Sequence, residues 1–383
     1  MNHSFNFFTP TQLIFGSGRL EELKEVAPKY GSKCLLVCRP LEGSLKLTYQ
    51  RVENLLNSVN VEVIFFDEII PNPTIEGIEK GVITAIKNQV NFVLGVGGGS
   101  VMDSAKLIAL LHNPEGVINW EEASISYDHP FNYVASKQQT LPFIAVSTTS
   151  GTGSQCTQAA VISDNQKKEK ITLFHLDLFP KVEIIDPELV TSVPADVTAA
   201  TGFDTFTHAF ESFLGGRTSP LTKQMSFQAI ELVIENLPKA IKEPNNIEYR
   251  TQLAWADTLA GMCLSNGGAD LPHPLGEIIG GICPRIAHGE TLAMVYPSFL
   301  EYKKNIAPDK FKEIAVFLGL KKDPSELSSK IIELLNITDL SNACKRAELT
   351  QEEKNEILTH PLLTKLEPKN SDKIVSIMKK SII

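Results

Sequence analysis

Asn91-Phe-Val-Leu-Gly-Val-Gly-Gly-Gly-Ser100 runs directly into Val101-Met-Asp-Ser-Ala-Lys-Leu-Ile-Ala-Leu110. A short apolar strand, a glycine run and an apolar-periodic helix in that order read as a parallel β-α unit. The first amides of its helix are free to meet an anion. The segment is a candidate phosphate cradle, and by itself it reads equally as a plain strand-to-helix turn. It is not the common dinucleotide fingerprint: Gly95-Val-Gly-Gly-Gly-Ser100 lacks the third glycine at its spacing, and so does Gly16-Ser-Gly18. A second loop, Ser147-Thr-Thr-Ser-Gly-Thr-Gly-Ser154, follows the apolar strand Phe143-Ile-Ala-Val146. Its small hydroxyls suit a diphosphate without adding charge, and they suit a plain turn equally well.

Outward from these loops, strand-like runs at Cys34–Cys38, Val61–Phe66, Phe92–Val96, Phe143–Val146 and Val182–Ile185 alternate with helical stretches. The helices are expected near Ser44–Val59, Thr74–Gln89 and Val101–Leu111. Such alternation predicts a doubly wound parallel sheet. Asn113 to Thr140 breaks the rhythm and is expected to form a long loop or a pair of small elements overhanging a site. After Asp186-Pro187 the strand signal ends. Ile230, Val233, Ile234 and Leu237 keep helical spacing up to Pro238, and Phe311, Ile314, Ala315 and Leu318 repeat it, so the second half should be all-helical. The charged tail from Lys345 to Lys380 reads as solvated helices.

The helical half carries a possible metal site. Asp204 and His208 stand four apart in Thr201-Gly-Phe-Asp-Thr-Phe-Thr-His-Ala-Phe-Glu211, so on a helix both leave one face. Val197, Phe203, Phe206 and Phe210 supply an apolar stripe, Pro194 suits the first turn and Ser192 is a candidate cap. His273 in Leu271-Pro-His-Pro-Leu-Gly276 and His288 in Ile286-Ala-His-Gly-Glu290 lie among breakers, where a helix end or loop can aim an imidazole at a common point. One carboxylate and three imidazoles without thiolate suit a divalent transition ion. Taken singly, each histidine is as readily a hydrogen-bonded core residue; it is the combination with the glycine loops that favours a metal role.

Composition narrows the class. The 383 residues, 43% hydrophobic, can bury a large core and form two domains. A formal charge of -9 argues against nucleic acid or an anionic membrane as the main partner, because both reward a basic face. There is no apolar run of about 18 residues. Met1-Asn-His-Ser-Phe-Asn6 lacks a basic, apolar, cleavable layout, so a cytoplasmic location is expected. Six cysteines over this length do not make a disulfide scaffold. Cys34 and Cys38 fall on one side of a strand and Cys263 in an apolar stretch, as reduced core thiols do; Cys156 lies in the hydroxyl loop, where a passive thiol is again the expectation.

Gly97-Gly-Gly-Ser-Val-Met-Asp-Ser-Ala-Lys106, Thr148-Thr-Ser-Gly-Thr-Gly-Ser154, Asp204-Thr-Phe-Thr-His208 and Gly261-Met-Cys-Leu-Ser-Asn266 together resemble the iron-dependent (group III) alcohol dehydrogenases. The likeness runs from Phe15-Gly-Ser-Gly18 and Pro71-Asn-Pro-Thr74 to about Phe299. It implies an α/β dinucleotide-binding domain over 1–188 and an all-α metal-binding domain over 189–383. It further implies that Gly97, Gly98, Ser100, Asp103, Thr148, Thr149, Thr152, Thr157 and Lys170 line NAD or NADP, and that Asp204, His208, His273 and His288 hold Fe2+ or Zn2+. The implied reaction moves hydride between a small alcohol or carbonyl compound and nicotinamide, with the ion as Lewis acid. Relatives are commonly homodimers or larger.

Departures from the resemblance are equally specific. Where family members commonly carry a second histidine four residues after the third ligand, this chain has Glu277, a candidate catalytic residue able to orient His273 or carry a proton. Aligning His273-Pro-Leu-Gly276 with a similar family segment would instead move the third ligand to Ala269. Counting from Gly261-Met-Cys-Leu-Ser-Asn266 reaches His273 without a gap and favours it. Gln155 stands where Glu is frequent. Arg39, at the end of the strand Cys34–Cys38, can pair with the extra phosphate of NADP, or it is a solvated surface arginine.

Two other classes stay open at this stage. Sugar-phosphate cyclases, including dehydroquinate synthase, share the architecture and the His288-Gly-Glu290 segment but need basic groups around a phosphorylated substrate. A catalytically silent nucleotide-binding relative would follow if the Ala269 register left the metal site incomplete.

Overall fold

The computed structural model describes residues 4–131 and 140–383. Among the described residues eight strands fall in the first half: β1 Gln12–Phe15, β2 Lys33–Val37, β3 Glu62–Phe66, β4 Phe92–Gly97, β5 Phe143–Ser147, β6 Ala159–Asp164, β7 Glu169–Phe174 and β8 Val182–Ile185. Six of them pair in parallel in the order β1-β8-β5-β4-β2-β3. Side chains alternate across β2, so Leu35 and Val37 join one buried cluster while Cys34 and Leu36 join the other. Both sheet faces are thus covered, as a parallel sheet requires. Ile75–Asn88 and Gly99–Leu111 cover one face, and Lys46–Asn57 covers the other. The expected doubly wound architecture is present.

The chain steps from β2 outward to β3, then returns to the far side of β2 for β4. That reversal opens a crevice at the carboxyl ends of β2 and β4, the usual place for a ligand in such sheets. β4 and β5 end in register, Gly97 opposite Ser147, and Thr148 N donates to Gly97 O at 2.9 Å. The glycine run and the hydroxyl loop therefore emerge side by side.

Three strands go beyond the sequence expectation. β1 forms a sheet edge against β8, and β6 and β7 make a separate antiparallel hairpin. The hairpin is tied to the Pro71–Thr74 segment through Ser163 N to Pro73 O at 2.8 Å. Within Asn113–Thr140 a short helix, Trp120–Ser126, starts at an Asn119 cap; residues 132–139 of that stretch lie outside the described residues.

Beyond residue 186 the described residues contain helices and no strand, led by Ala195–Leu214, Pro220–Lys242, Ile247–Gly267, Pro272–Ile282 and His288–Ile306. Ser192 does not cap the first of these, and Pro194 precedes its first turn. Arg250 organises that end instead, donating to Val193 O at 2.9 Å and to Thr198 Oγ1 at 2.8 Å. Nor does Pro238 end its helix. Leu237 and Ala240, on either side of it, are fully buried, and this packing outweighs the single backbone bond a proline removes. The tail also differs from expectation. In Ser371–Ser381, Ile374, Ile377 and Met378 pack into the helical core while Lys379 and Lys380 stay exposed, so the helix is docked, not merely solvated. Among the described residues no helix is long and apolar enough to cross a membrane.

Candidate active site

The helix Ala195–Leu214 is buried on nearly every side. Phe203, Phe206 and Phe210 gather around Tyr296, with ring centroids 5.0 to 6.2 Å from it. Burying each phenyl contributes roughly 1.5–3 kcal/mol, which offsets the cost of burying the polar residues of the same helix. Those residues are Asp204, His208 and Glu211, stacked along one face one turn apart. Gly289 lets the next element close on them: a Cβ there would lie 2.0 Å from Ala200 O, so only glycine allows the His288 helix to abut this one.

Asp204 Oδ1 is the meeting point. His208 Nε2 lies 3.5 Å from it, His273 Nε2 3.7 Å and His288 Nε2 3.8 Å. These separations exceed a hydrogen bond and lie near the roughly 3.3–3.6 Å edge of a tetrahedral nitrogen and oxygen set. Asp204, His273 and His288 each offer a ligand atom within 4.8 Å of the other two, and His208 joins from the Asp204 side. Asp204 Oδ1 and His273 Nε2 are buried without a hydrogen-bond partner, which would be costly unless a cation satisfies them. Burial raises the Asp204 carboxyl to about 8 and holds His208 and His288 well below the ordinary imidazole range, in the neutral form that binds metal. The donor set fits a divalent ion.

Glu211 supports this cluster and is absent from the sequence-based site. Its Oε2 lies 2.8 Å from His273 Nδ1 and accepts from Asp270 N at 2.8 Å, while Tyr296 Oη donates to Oε1 at 3.3 Å. Burial alone would lower His273, but the carboxylates of Glu211 and Asp204 outweigh it and lift the imidazole to about 9. The signal was available, since Glu211 follows Asp204 by seven residues and His208 by three on one helix face.

A cavity of about 590 Å³ joins this cluster to the sheet half. Of the candidate cofactor residues, Ser100, Asp103, Thr152, Thr157 and Lys170 line it, along with Glu277 and all four candidate metal ligands. Gly97, Gly98, Thr148 and Thr149 do not line it and sit at or just past the ends of β4 and β5. Gly98 and Gly99 let the two loops touch, because a Cβ at Gly99 would come 2.5 Å from Thr152 Cγ2 and one at Gly98 2.9 Å from Thr149 Oγ1. Arg39 is exposed, just past the carboxyl end of β2. Ala269 is exposed on the cavity rim, four residues from the buried His273.

Several of these side chains brace each other. Asp103 accepts from Ser154 Oγ at 2.7 Å and from Val161 N at 2.9 Å, joining the glycine helix to the hydroxyl loop and the hairpin. Fully buried Lys106 donates to Ala159 O at 2.7 Å and Thr157 O at 3.0 Å. Asp257, from the helix Ile247–Gly267, accepts from Gly153 N at 2.9 Å and from Gln155 Nε2 at 2.7 Å. Neither Lys106 nor Asp257 was expected in the site, because each acts through loops remote in sequence. Cys156 is buried, and burial first, then Glu183 and Asp257, raises its thiol well above the ordinary range, so it is a passive core group. Glu277 shares its helix with His273 despite Pro274; burial raises its carboxyl, opposed by Lys170 and His273.

The chain is similar throughout to proteins of one class. Residues 10–187 match the iron-containing alcohol dehydrogenases, and residues 198–382 match the C-terminal part of the same family. The NAD-dependent methanol dehydrogenase of Bacillus methanolicus is 31% identical over 318 residues, 82% of this chain and 80% of that protein. Alcohol dehydrogenase 4 of Saccharomyces cerevisiae is 31% identical over 341 residues, covering 88% and 86%. In three dimensions, an archaeal halo-thermophilic alcohol dehydrogenase from a Red Sea brine pool superposes with a TM-score of 0.89 at 29% identity, over 100% of both chains. This chain belongs to the iron-containing alcohol dehydrogenase family. It is an oxidoreductase, a metal-dependent alcohol dehydrogenase.

Proposed function

We propose that the enzyme moves hydride between a small alcohol or aldehyde and a nicotinamide dinucleotide, with Asp204, His208, His273 and His288 holding one Fe2+ or Zn2+. The observation that carries this reading is the convergence of three imidazole Nε2 atoms on one unpartnered carboxylate oxygen, in a cavity shared with the glycine and hydroxyl loops. Residues 1–188 would serve the dinucleotide and 189–383 the metal. When bound, the ion supplies Lewis acidity to the oxygen of the substrate.

The chain's own groups do the rest. Glu211 holds His273 through Nδ1 and so fixes the direction of Nε2, which would bind the ion after giving up its proton. Amides at the start of the helix Gly99–Leu111 and the hydroxyls of Thr148, Thr149, Thr152 and Thr157 suit the diphosphate, with Lys170 beside them. Because Glu211 already orients His273, Glu277 is left the second of its two roles, passing the alcohol proton outward. Glu277→Gln should then lower turnover by about 10²-fold or more with metal content intact. Wild-type rates in that variant would remove Glu277 from the reaction.

Arg39 at the crevice between β2 and β4 favours NADP, whose extra phosphate it can pair with. The same reading assigns the enzyme to the cytoplasm as a homodimer or larger homo-oligomer, which light scattering would check. Against a sugar-phosphate cyclase, Lys170 is the only lysine or arginine among the described residues of the cavity, too few cations for a phosphorylated substrate. The deciding experiment is chelation, restoration with Fe2+ or Zn2+, and a panel of short aldehydes and alcohols with NADH and NADPH. Turnover by the metal-free protein equal to that of the restored one would overturn the metal role, and absence of any nicotinamide oxidation or reduction would overturn the reaction.

A further inference from the structure

The three imidazoles that meet at Asp204 are not held alike. His288 Nδ1 is buried with no hydrogen-bond partner, and His208 has only a loose approach to the Gly151 backbone. His273 alone is anchored from behind, with Glu211 Oε2 2.8 Å from its Nδ1. An imidazole without such an anchor is directed by packing alone, whereas an anchored one keeps its angle only as well as its anchor does. The direction of His273 therefore depends on what holds Glu211.

Glu211 is fully buried, and its carboxylate is held at both oxygens. Oε2 also accepts from Asp270 N at 2.8 Å, and Oε1 has Tyr296 Oη, at 3.3 Å, as its one donor among the described residues. Tyr296 otherwise sits among the apolar rings of Phe203, Phe206, Phe210 and Phe299, where a phenylalanine would fill the same space. Its hydroxyl serves Glu211. Seven residues on, two turns along the same helix, Lys303 pairs with the carboxylate of Asp270, the residue whose N–H reaches Glu211. Neither Tyr296 nor Lys303 lines the cavity. The helix His288–Ile306 thus carries one candidate ligand at its start and reaches the brace of another from further along.

We infer that Tyr296 and Lys303 are positioning residues of the metal site: Tyr296 directly and Lys303 through Asp270 fix Glu211, Glu211 fixes His273, and retention of the ion depends on a hydroxyl and an ammonium outside the four donors. This rests on the four-ligand reading above. Because His288 and both positioning residues share one helix, a shift of that helix would disturb two of the four donors together.

The test is the rate at which the Zn2+-loaded enzyme loses its ion to excess EDTA, a readout that needs no turnover. Tyr296→Phe removes only the hydroxyl and should speed release about tenfold; Lys303→Met, acting through one more residue, should speed it about threefold. The visible spectrum of the Co2+-loaded Tyr296→Phe protein should also differ from wild type, since an imidazole loosened at Nδ1 meets the ion at another angle. NADH affinity should be unchanged in both variants. Phe311→Leu is the control: it loosens the same aromatic cluster, packing on Phe210 with ring centroids 5.6 Å apart, but carries no polar group to the brace. It should release the ion at the wild-type rate. Should Tyr296→Phe fail to fold, Lys303→Met decides. Release at the wild-type rate in either variant, an unchanged Co2+ spectrum, a fall in NADH affinity, or equally fast release from Phe311→Leu would each overturn the inference. A wild-type protein that keeps no ion after restoration overturns the four-ligand reading itself; one that keeps it, while Tyr296→Phe behaves as wild type, overturns only this inference.

Discussion

The two sides of the cavity are built from different materials. On the sheet side the glycine and hydroxyl loops offer mainly backbone and small hydroxyl side chains, and they can lie together only because Gly98 and Gly99 have no Cβ. On the helical side the surface is four long side chains fixed on helices, with Phe203, Phe206 and Phe210 behind them. A surface of many weak amide and hydroxyl contacts should lose affinity by degrees. A chelate of four donors should fail as a unit, because each lost ligand weakens the whole set.

The largest effect should come from the chelate. His273→Ala is expected to abolish metal retention and turnover together, while nucleotide binding, followed by fluorescence of NADH, persists. Metal held at wild-type stoichiometry in that variant would show that the two sides do not differ in this way, and would return the third ligand to the Ala269 neighbourhood. Next in size is Gly99→Ala. The new methyl would press on Thr152 Cγ2 from 2.5 Å, an overpacking cost of about 1–3 kcal/mol. Its expected result is a KM for the dinucleotide raised about tenfold with metal content unchanged. A loss of metal instead would mean that the two surfaces are less separable than their chemistry suggests. Smallest is Arg39→Asp, which should move the NADPH to NADH efficiency ratio by about fivefold toward NADH, the scale of an exposed ion pair. An unchanged ratio would make Arg39 a solvated residue.

The same contrast explains what could be read from the sequence. The strands β2, β4 and β5 were legible because each is a mainly apolar run buried on both faces and flanked by breakers, and β8 despite its buried Glu183 because Val182, Ile184 and Ile185 surround it. β6 and β7 were not, since the Ala159–Asp164 run follows the hydroxyl loop directly and its partner β7 is charged at its start, with Glu169 and Lys170. Asp204 and His208 were visible through helical spacing, as was Glu211, whose partner His273 lies 62 positions away and hid its purpose. Tyr296 was hidden likewise, since it lies 85 positions from its acceptor Glu211. Ser192 and Pro238 misled for a related reason: local signals gave way to Arg250 in one case and to buried Leu237 and Ala240 in the other.

Gln155 and Asp257 share a bond of 2.7 Å across the junction of the two halves, and Asp257 also receives Gly153 N from the same loop. A glutamate at 155 would set carboxylate against carboxylate in a buried place, where burial already raises Asp257 to about 6. Gln155→Glu alone should therefore weaken this junction. In a recombination library between this gene and a relative with glutamate at the first position and a residue other than aspartate at the second, crossovers between the two codons could bring two carboxylates together, and the surviving clones should be those that kept both residues from one source.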